Sequence, residues 1–428
     1  MHRPTLQLVV AVLLSAAMWI WVQAIAVPHQ VAESAESGAP RGNLSDLYPR
    51  WLGARELLLH HRDPYHTDIT REIQIGYYGR ALDPIRPHDP KDQQAFAYPI
   101  YVVLMLAPTV TLSFSTVHKI FFWLFAVLTA SSVPLWLRTL GWHVSRSAAA
   151  AWMLLTLSCF PAIQGLKLLQ LTVLVAALLA LSLNALARRR LELAGILLAL
   201  ATIKPQLVFL LICFLSIWVV GNWRARQRLV WSFAITMTVL VSSGEFLLPG
   251  WIAEFRTALK DYYRYTGGGN SLAEILLSPI PGRITAALLA CMALVFAWWN
   301  RHASQESLAF QWSLCFTLAT TLLVIPMFAP YNQLLLLPGV MMALRARHEV
   351  WANGRLARFF CSIAALSIAT PFLSAACLVT ALAFLPSATV QKAWGPPFYA
   401  SFAIPITIYA LLLVSRKVMT EQIRNRAA

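Results

Sequence analysis

Asp46 stands in the run Ser45-Asp46-Leu47-Tyr48-Pro49-Arg50-Trp51, a carboxylate among aromatic and apolar residues. A carboxylate so placed can serve as general base toward a hydroxyl acceptor. A structural role competes with this: Ser45 or Asp46 could cap a helix running through Trp51, Ala54 and Leu58. The two roles are compatible if Ser45 caps and Asp46 faces a cavity. Asp63, in Arg62-Asp63-Pro64-Tyr65, is either a turn residue or a second carboxylate of the site. Lys204 lies in Ala201-Thr202-Ile203-Lys204-Pro205-Gln206, between two short apolar runs that Pro205 keeps from forming one helix. A lone lysine at membrane depth is costly and points to function. Its chemistry would be that of a cation for a phosphate head group; snorkelling to the interface is the bland alternative. The turn Gln164-Gly165-Leu166-Lys167-Leu168-Leu169-Gln170 adds Lys167 as a second basic point and two amides that can bond hydroxyls, with Gly165 allowing close approach. Tyr331 and Asn332 sit in another short turn, as substrate contacts or as caps.

Several chemistries find no support. There is no Walker loop, no dinucleotide fingerprint, no HExxH and no GxSxG elbow, and Gly267-Gly268-Gly269-Asn270 follows no strand. Nucleotide-sugar or ATP chemistry is therefore not expected. The six cysteines, Cys159, Cys213, Cys291, Cys315, Cys361 and Cys377, lie in apolar runs without a close pair. Neither a disulfide framework nor metal spacing results, and no metal or cofactor is expected.

The elements that must position these residues are membrane helices. Of 428 residues, 58% are hydrophobic and 12% charged, against about 25% charged in a soluble domain. Apolar runs of roughly 20 residues recur along the chain, as in a polytopic all-α membrane protein. We expect twelve spans, at 6–27, 119–137, 147–160, 168–187, 191–203, 207–220, 229–248, 283–299, 308–328, 332–344, 359–385 and 398–414. The first is read as a retained helix, being long for a signal peptide. The net charge of +16 resides mainly in short basic loops: Arg138/Arg146, Arg188-Arg189-Arg190, Arg224/Arg226/Arg228, Arg301, Arg345/Arg347/Arg355/Arg358 and Arg416/Lys417/Arg424/Arg426. This is the pattern of orientation signals rather than of nucleic-acid binding, and it also suits anionic membrane lipids. Both termini then face the cytoplasm, provided that the Tyr98–Phe114 stretch, broken by Pro108, does not cross. The whole of 1–428 forms one membrane domain. Two large extracytoplasmic loops, 28–118 and 249–282, carry most of the acidic residues. Within the first, 44–59 puts Leu47, Trp51, Ala54 and Leu58 on one face, which suits an amphipathic helix at the membrane surface.

In order and spacing, these short motifs resemble those of glycosyltransferase family 87, a group of GT-C membrane glycosyltransferases. The elements are Asp46-Leu47-Tyr48 with Trp51 and Ala54, Asp63-Pro64-Tyr65, Phe96-Ala97-Tyr98-Pro99, Gln164-Gly165 with Leu168-Leu169-Gln170, Ala194-Gly195 to Lys204-Pro205-Gln206, and Tyr331-Asn332-Gln333-Leu334 to Pro338. The resemblance implies a GT-C fold in the plasma membrane and a polyprenyl-phosphate-linked hexose donor, often mannose. It also implies inverting transfer to a lipid or glycan acceptor on the extracytoplasmic face. Asp46 takes the place of the family's early-loop aspartate, and Lys204 that of its basic Lys-Pro position. Lys167 would assist at the phosphate, and Asp63, Tyr98, Gln164, Gln206, Tyr331 and Asn332 would contact substrate. This chain departs from the pattern at Tyr331 and Asn332, where some members carry histidine, and at Ile100, where a second proline is common. The competing reading is a transporter or lipid-linked sugar flippase, which also uses short broken helices around a midplane cation. A non-catalytic membrane subunit is a third.

Overall fold

The computed structural model describes residues 3–421 apart from 43, 84 and 87. Arg424 and Arg426, expected as orientation signals, lie outside the described residues. Among these residues, helices are the only regular elements, and six are long and apolar enough to cross a membrane: Thr5–Ser37, Phe114–Thr139, Trp223–Leu247, Pro279–Trp299, Arg355–Ala381 and Ser387–Val414. Arg146–Ser158 and Phe160–Lys167 form a further pair, bent by 58°. Four more of the expected spans are shorter apolar helices, Leu171–Ala187, Leu191–Ile203, Pro205–Val220 and Leu308–Val324.

Burial accounts for the difference in length. Leu171–Ala187 and Leu308–Val324 have 17 residues each and bury nearly all of them, polar Thr172, Asn184, Gln311, Thr317 and Thr320 included. They form the centre of the bundle, where a helix of about 25 Å does not have to match the full hydrocarbon thickness. Trp223–Leu247, by contrast, buries only Arg226, Leu229, Leu240 and Gly244. Trp231, Ile235 and Val239 lie exposed along one stripe of it, as on a helix facing lipid.

The first helix runs past its expected end at 27 to Ser37. Pro28 cannot donate to Ala24, four residues back. The helix continues because the freed Ala24 carbonyl accepts from Gln391 Nε2 at 3.3 Å, directly after a π-helical turn over Trp21–Ala26.

The Tyr98–Phe114 stretch folds as a five-residue helix, Val102–Leu106, and a 3₁₀ turn, Ala107–Thr109. Eight residues reach about 12 Å and cannot span a 30 Å core. Trp51 Nε1 donates to the Thr109 carbonyl at 3.2 Å, so this segment docks on the helix Leu47–His60. That helix and Thr67–Tyr78 fold into a small cap. From the second large loop comes Trp251–Thr266, bounded by Gly250 and Gly267 with φ of 79° and 77°. Such left-handed angles suit glycine and let the helix turn sharply at both ends.

Candidate active site

Three breaks in the helical framework meet at one place. Lys204 separates the 3₁₀ turn Ala201–Ile203 from the helix Pro205–Val220, with φ −123° and ψ 79°. A residue before proline is disfavoured in the α region, and proline itself suits the first helical position. Gln170 separates Phe160–Lys167 from Leu171–Ala187 in extended conformation, its backbone N–H bonded to the Gly165 carbonyl at 2.9 Å. The third break is the 3₁₀ segment Pro330–Leu336. A Cβ on Gly165 would stand 2.9 Å from Val173 and 3.6 Å from Tyr331, so a glycine there permits these segments to close on one another.

The breaks open onto a cavity of about 340 Å³, lined among others by Asp46, Arg50, Asp92, Gln94, Tyr98, Gln170, Lys204, Gln206, Tyr262, Tyr331 and Asn332. Lys204 is buried. Its Nζ donates to Gln170 Oε1 and Thr172 Oγ1, both at 2.8 Å, and Thr172 donates to Asn332 Oδ1 at 3.1 Å. The other end of the Gln170 amide, Nε2, donates to Asp46 Oδ2. One side chain thus links lysine and aspartate while neutralising neither. Asp46 also accepts from the Tyr77 hydroxyl at 3.1 Å, and its backbone N–H donates to the Leu168 carbonyl at 2.8 Å. The Asp46 side chain makes no cap, nor does Ser45, whose hydroxyl is buried without a partner. The structure therefore gives no support to the capping role. Burial pushes the Asp46 carboxyl above the ordinary aspartate value, with Asp92 acting in the same direction; Arg50 and the bonds from Gln170 and Tyr77 oppose this.

Arg50, one helical turn after Asp46, is the residue the sequence reading missed. Its Nη1 donates to the Asp46 carbonyl at 2.7 Å and its Nε is buried without a partner. Its guanidinium lies 4.6 Å from the centroid of the Tyr98 ring, and Lys204 Nζ lies 5.8 Å from the same ring and 5.1 Å from that of Tyr331. Among the described residues no carboxylate lies within ion-pairing distance of either cation. A buried lysine and a half-buried arginine without anionic partners are an expensive arrangement unless an anionic ligand completes it. The available signal was the i, i+4 spacing of Asp46, which precedes the helix Leu47–His60, and Arg50 in its first turn.

The remaining expected residues divide. Tyr98, Gln206, Tyr331 and Asn332 line the cavity, Gln206 at an exposed position. Asp63 does not: its Oδ1 accepts the Tyr65 N–H at 2.8 Å, while Tyr65 OH donates to the Tyr98 carbonyl at 2.6 Å. The Asp63-Pro64-Tyr65 motif thus holds Tyr98 in place from outside. Lys167 and Gln164 are not in the lining, and Gln164 Oε1 is buried without a partner. Tyr101 OH donates to the Thr202 carbonyl at 2.9 Å, tying the Tyr-Pro segment to the turn that carries Lys204. Asp92, Gln94 and Tyr262 were also missed; they come from irregular or amphipathic loop sequence without a motif. No cluster of three or more His, Cys, Asp or Glu that could hold a metal occurs among the described residues.

A second cavity, of about 400 Å³, lies behind the Pro330–Leu336 segment. It is lined by apolar side chains such as Leu14, Trp152, Leu155, Val340, Ile368 and Phe372. Gln333 lines it too, with both side-chain polar atoms buried and unpartnered. No curated protein and no solved structure matches this chain. The sequence model of glycosyltransferase family 87 matches residues 96–326, just over half the chain. That range includes Tyr98, Gln170 and Lys204 and leaves Asp46, Arg50, Tyr331 and Asn332 outside it. On this match, and with a membrane-helix bundle around a polar cavity, the chain belongs to glycosyltransferase family 87.

Proposed function

We propose that the chain moves a hexose, mannose in the first instance, from a polyprenyl-phosphate donor to a hydroxyl of a lipid or glycan acceptor. The observation that carries this reading is the gathering, in one cavity, of the Asp46 carboxylate, held by Gln170 and Tyr77, with two cations, Arg50 and Lys204, that have no carboxylate within ion-pairing distance. Asp46 takes the proton of the acceptor hydroxyl as its oxygen attacks the anomeric carbon from the face opposite the phosphate. The bond from that carbon to the phosphate oxygen breaks with its electron pair, so the configuration inverts. The departing phosphate gains one negative charge and needs no proton, and Lys204 and Arg50 stabilise that charge as it develops. Tyr98, Gln206, Tyr331 and Asn332 contact the substrates. Lys167 and Gln164 act from outside the cavity, and Asp63 through Tyr65. The apolar second cavity, beside the Pro330–Leu336 segment, supports a donor with a long hydrocarbon chain. The reaction needs no metal or cofactor.

The chain crosses twelve times with both termini in the cytoplasm. The 332–344 stretch is one of the crossings, and the site faces the extracytoplasmic side. The alternation of basic loops supports this orientation. The test is an assay of purified protein in vesicles, with polyprenyl-phosphate-mannose and a panel of alcohol, glycolipid and glycan acceptors. Glycosylated acceptor with inverted configuration and stoichiometric release of polyprenyl phosphate is the expected result. Movement of the intact lipid-linked sugar across the bilayer without bond cleavage would instead make the chain a flippase.

A further inference from the structure

The cavity has a second carboxylate that the chemistry above leaves idle. Asp92 Oδ1 accepts from the Tyr262 hydroxyl at 3.2 Å, and Oδ2 accepts from Gln94 Nε2 at 2.7 Å. No cation pairs with it among the described residues. With the Gln94 backbone N–H also donating to Oδ1 at 3.3 Å, three donors are in place, and a carboxylate has room for about four, so Asp92 can take one more. Gln94 is 3% exposed and lines the cavity, yet its Oε1 has no hydrogen-bond partner. A buried orphan acceptor calls for a donor from elsewhere. The adjoining wall is the helix Trp251–Thr266. Phe255, Leu259 and Tyr262 line the cavity from it at i, i+4 and i+7 spacing, one helical face of apolar and aromatic surface. Tyr265 OH, bonded to the Pro90 carbonyl at 3.2 Å, fixes this helix to the stretch that carries Asp92.

We propose that Asp92, Gln94 and Tyr262 form the acceptor subsite, and that the group it takes is a neutral sugar ring with neighbouring hydroxyls rather than a simple lipid alcohol. The inference rests on the reading of Asp46 as base. A phosphate is repelled by two carboxylates and drawn to Arg50 and Lys204, so the donor's charge and this wall do not compete. Sugar hydroxyls supply the donors that Asp92 and Gln94 Oε1 lack, and the apolar face of the ring fits against Phe255 and Tyr262. A simple alkanol offers one donor, which Asp46 consumes.

The test compares an alkyl hexoside with an alkanol of equal chain length as acceptors for purified wild type, Asp92→Asn and Tyr262→Phe, with polyprenyl-phosphate-mannose as donor. Wild type should prefer the hexoside. Asp92→Asn should raise the hexoside KM at least tenfold and Tyr262→Phe about threefold, while the donor KM shifts less than twofold. Tyr262→Phe keeps the ring and the helix, so it reports even if Asp92→Asn folds poorly. Equal use of both acceptors by wild type would overturn the subsite, as would a donor KM that rises in parallel with the acceptor KM. A marked preference for an amino-substituted acceptor would overturn the assignment to a neutral sugar. Failure of wild type with every acceptor, with no release of polyprenyl phosphate, would instead remove the transferase reading itself.

Discussion

Arg50, in the first turn of the helix Leu47–His60, and Arg62, just past its end, differ in what they hold. Arg62 contacts Glu56 at 2.9 Å, Asp68 at 2.9 Å and Glu72 at 2.6 Å, at a partly exposed position. It holds the Asp68 carboxyl well below its ordinary range, chiefly through their hydrogen bond. Arg50 faces a cavity, donates to a backbone carbonyl and has no carboxylate partner. A saturated cation stabilises the cap and has nothing left for a ligand. An unsaturated one in low dielectric binds an anion strongly, because the cost of desolvation has been met during folding. Lys204, bonded to neutral Gln170 and Thr172, belongs with Arg50. Arg50 and Lys204 are thus the cations free to meet an anion in the cavity, while Arg62 is taken up by the cap.

The largest effect expected is at the base that the two cations flank. Asp46→Asn should lower kcat by roughly 10²–10⁴-fold. The Asp46 side chain caps no helix, so the thermal midpoint should stay near wild type. Asp63→Asn, which alters only a turn, should lose much less. Residual activity above half in Asp46→Asn, with none in Asp63→Asn, would move the base to the wrong side of the comparison's cap.

Next come the unsaturated cations. A hydrogen bond to a charged group contributes about 1.5–3 kcal/mol, equivalent to roughly ten- to hundredfold in an equilibrium constant. Lys204→Met and Arg50→Gln should each lower kcat/KM for the donor by about that factor and leave the acceptor KM nearly unchanged. A loss confined to acceptor use would show that these cations do not meet the phosphate.

A smaller effect should appear in the pH profile. The base works deprotonated, and burial raises its pKa, so kcat/KM should fall with acidity at a pH above the ordinary aspartate range. Asp92 adds to the upward shift and Arg50 opposes it. Asp92→Asn should therefore move this acid limb to lower pH, and Arg50→Gln to higher pH. Movement of both in one direction would contradict the assignment of the limb to Asp46.

The smallest effect on rate is expected at Arg62. Ion pairs of a partly exposed arginine each contribute little to stability, because water screens them. Arg62→Gln should lower the thermal midpoint measurably through its three partners while kcat changes less than twofold. A tenfold loss of activity would place the Arg62 cluster in the site.

Much of this arrangement was legible in the residues. Hydropathy marked the six long apolar helices, because membrane helices advertise themselves by composition, whereas the expected span 332–344 is a 3₁₀ segment followed by a nine-residue helix. Pro205 after Lys204 and the Gly165 turn marked the breaks, since proline and glycine act locally. The Asp46 carboxylate stood out as an acid among apolar neighbours, and so did Lys204 as a cation among them. Arg50 carries no local signal beyond its spacing from Asp46. Its missing partner is a fact of three dimensions. Asp92 and Tyr262 are 170 residues apart and meet only through loop packing, which no local pattern records. Lys167 looked equivalent to Lys204 by its place in a basic turn, yet it sits at the end of Phe160–Lys167, outside the cavity lining. Such orientation depends on where the bent pair of helices meets the bundle.

The central claim is that the unsaturated cations hold the phosphate. Its most direct test is calorimetric titration of a short-chain isoprenyl phosphate into purified wild type, Arg50→Gln, Lys204→Met and Arg62→Gln. The account predicts binding to wild type and Arg62→Gln with Kd values within twofold of each other, and binding at least tenfold weaker to Arg50→Gln and Lys204→Met. Equal affinity in all four proteins, or a loss confined to Arg62→Gln, would contradict it.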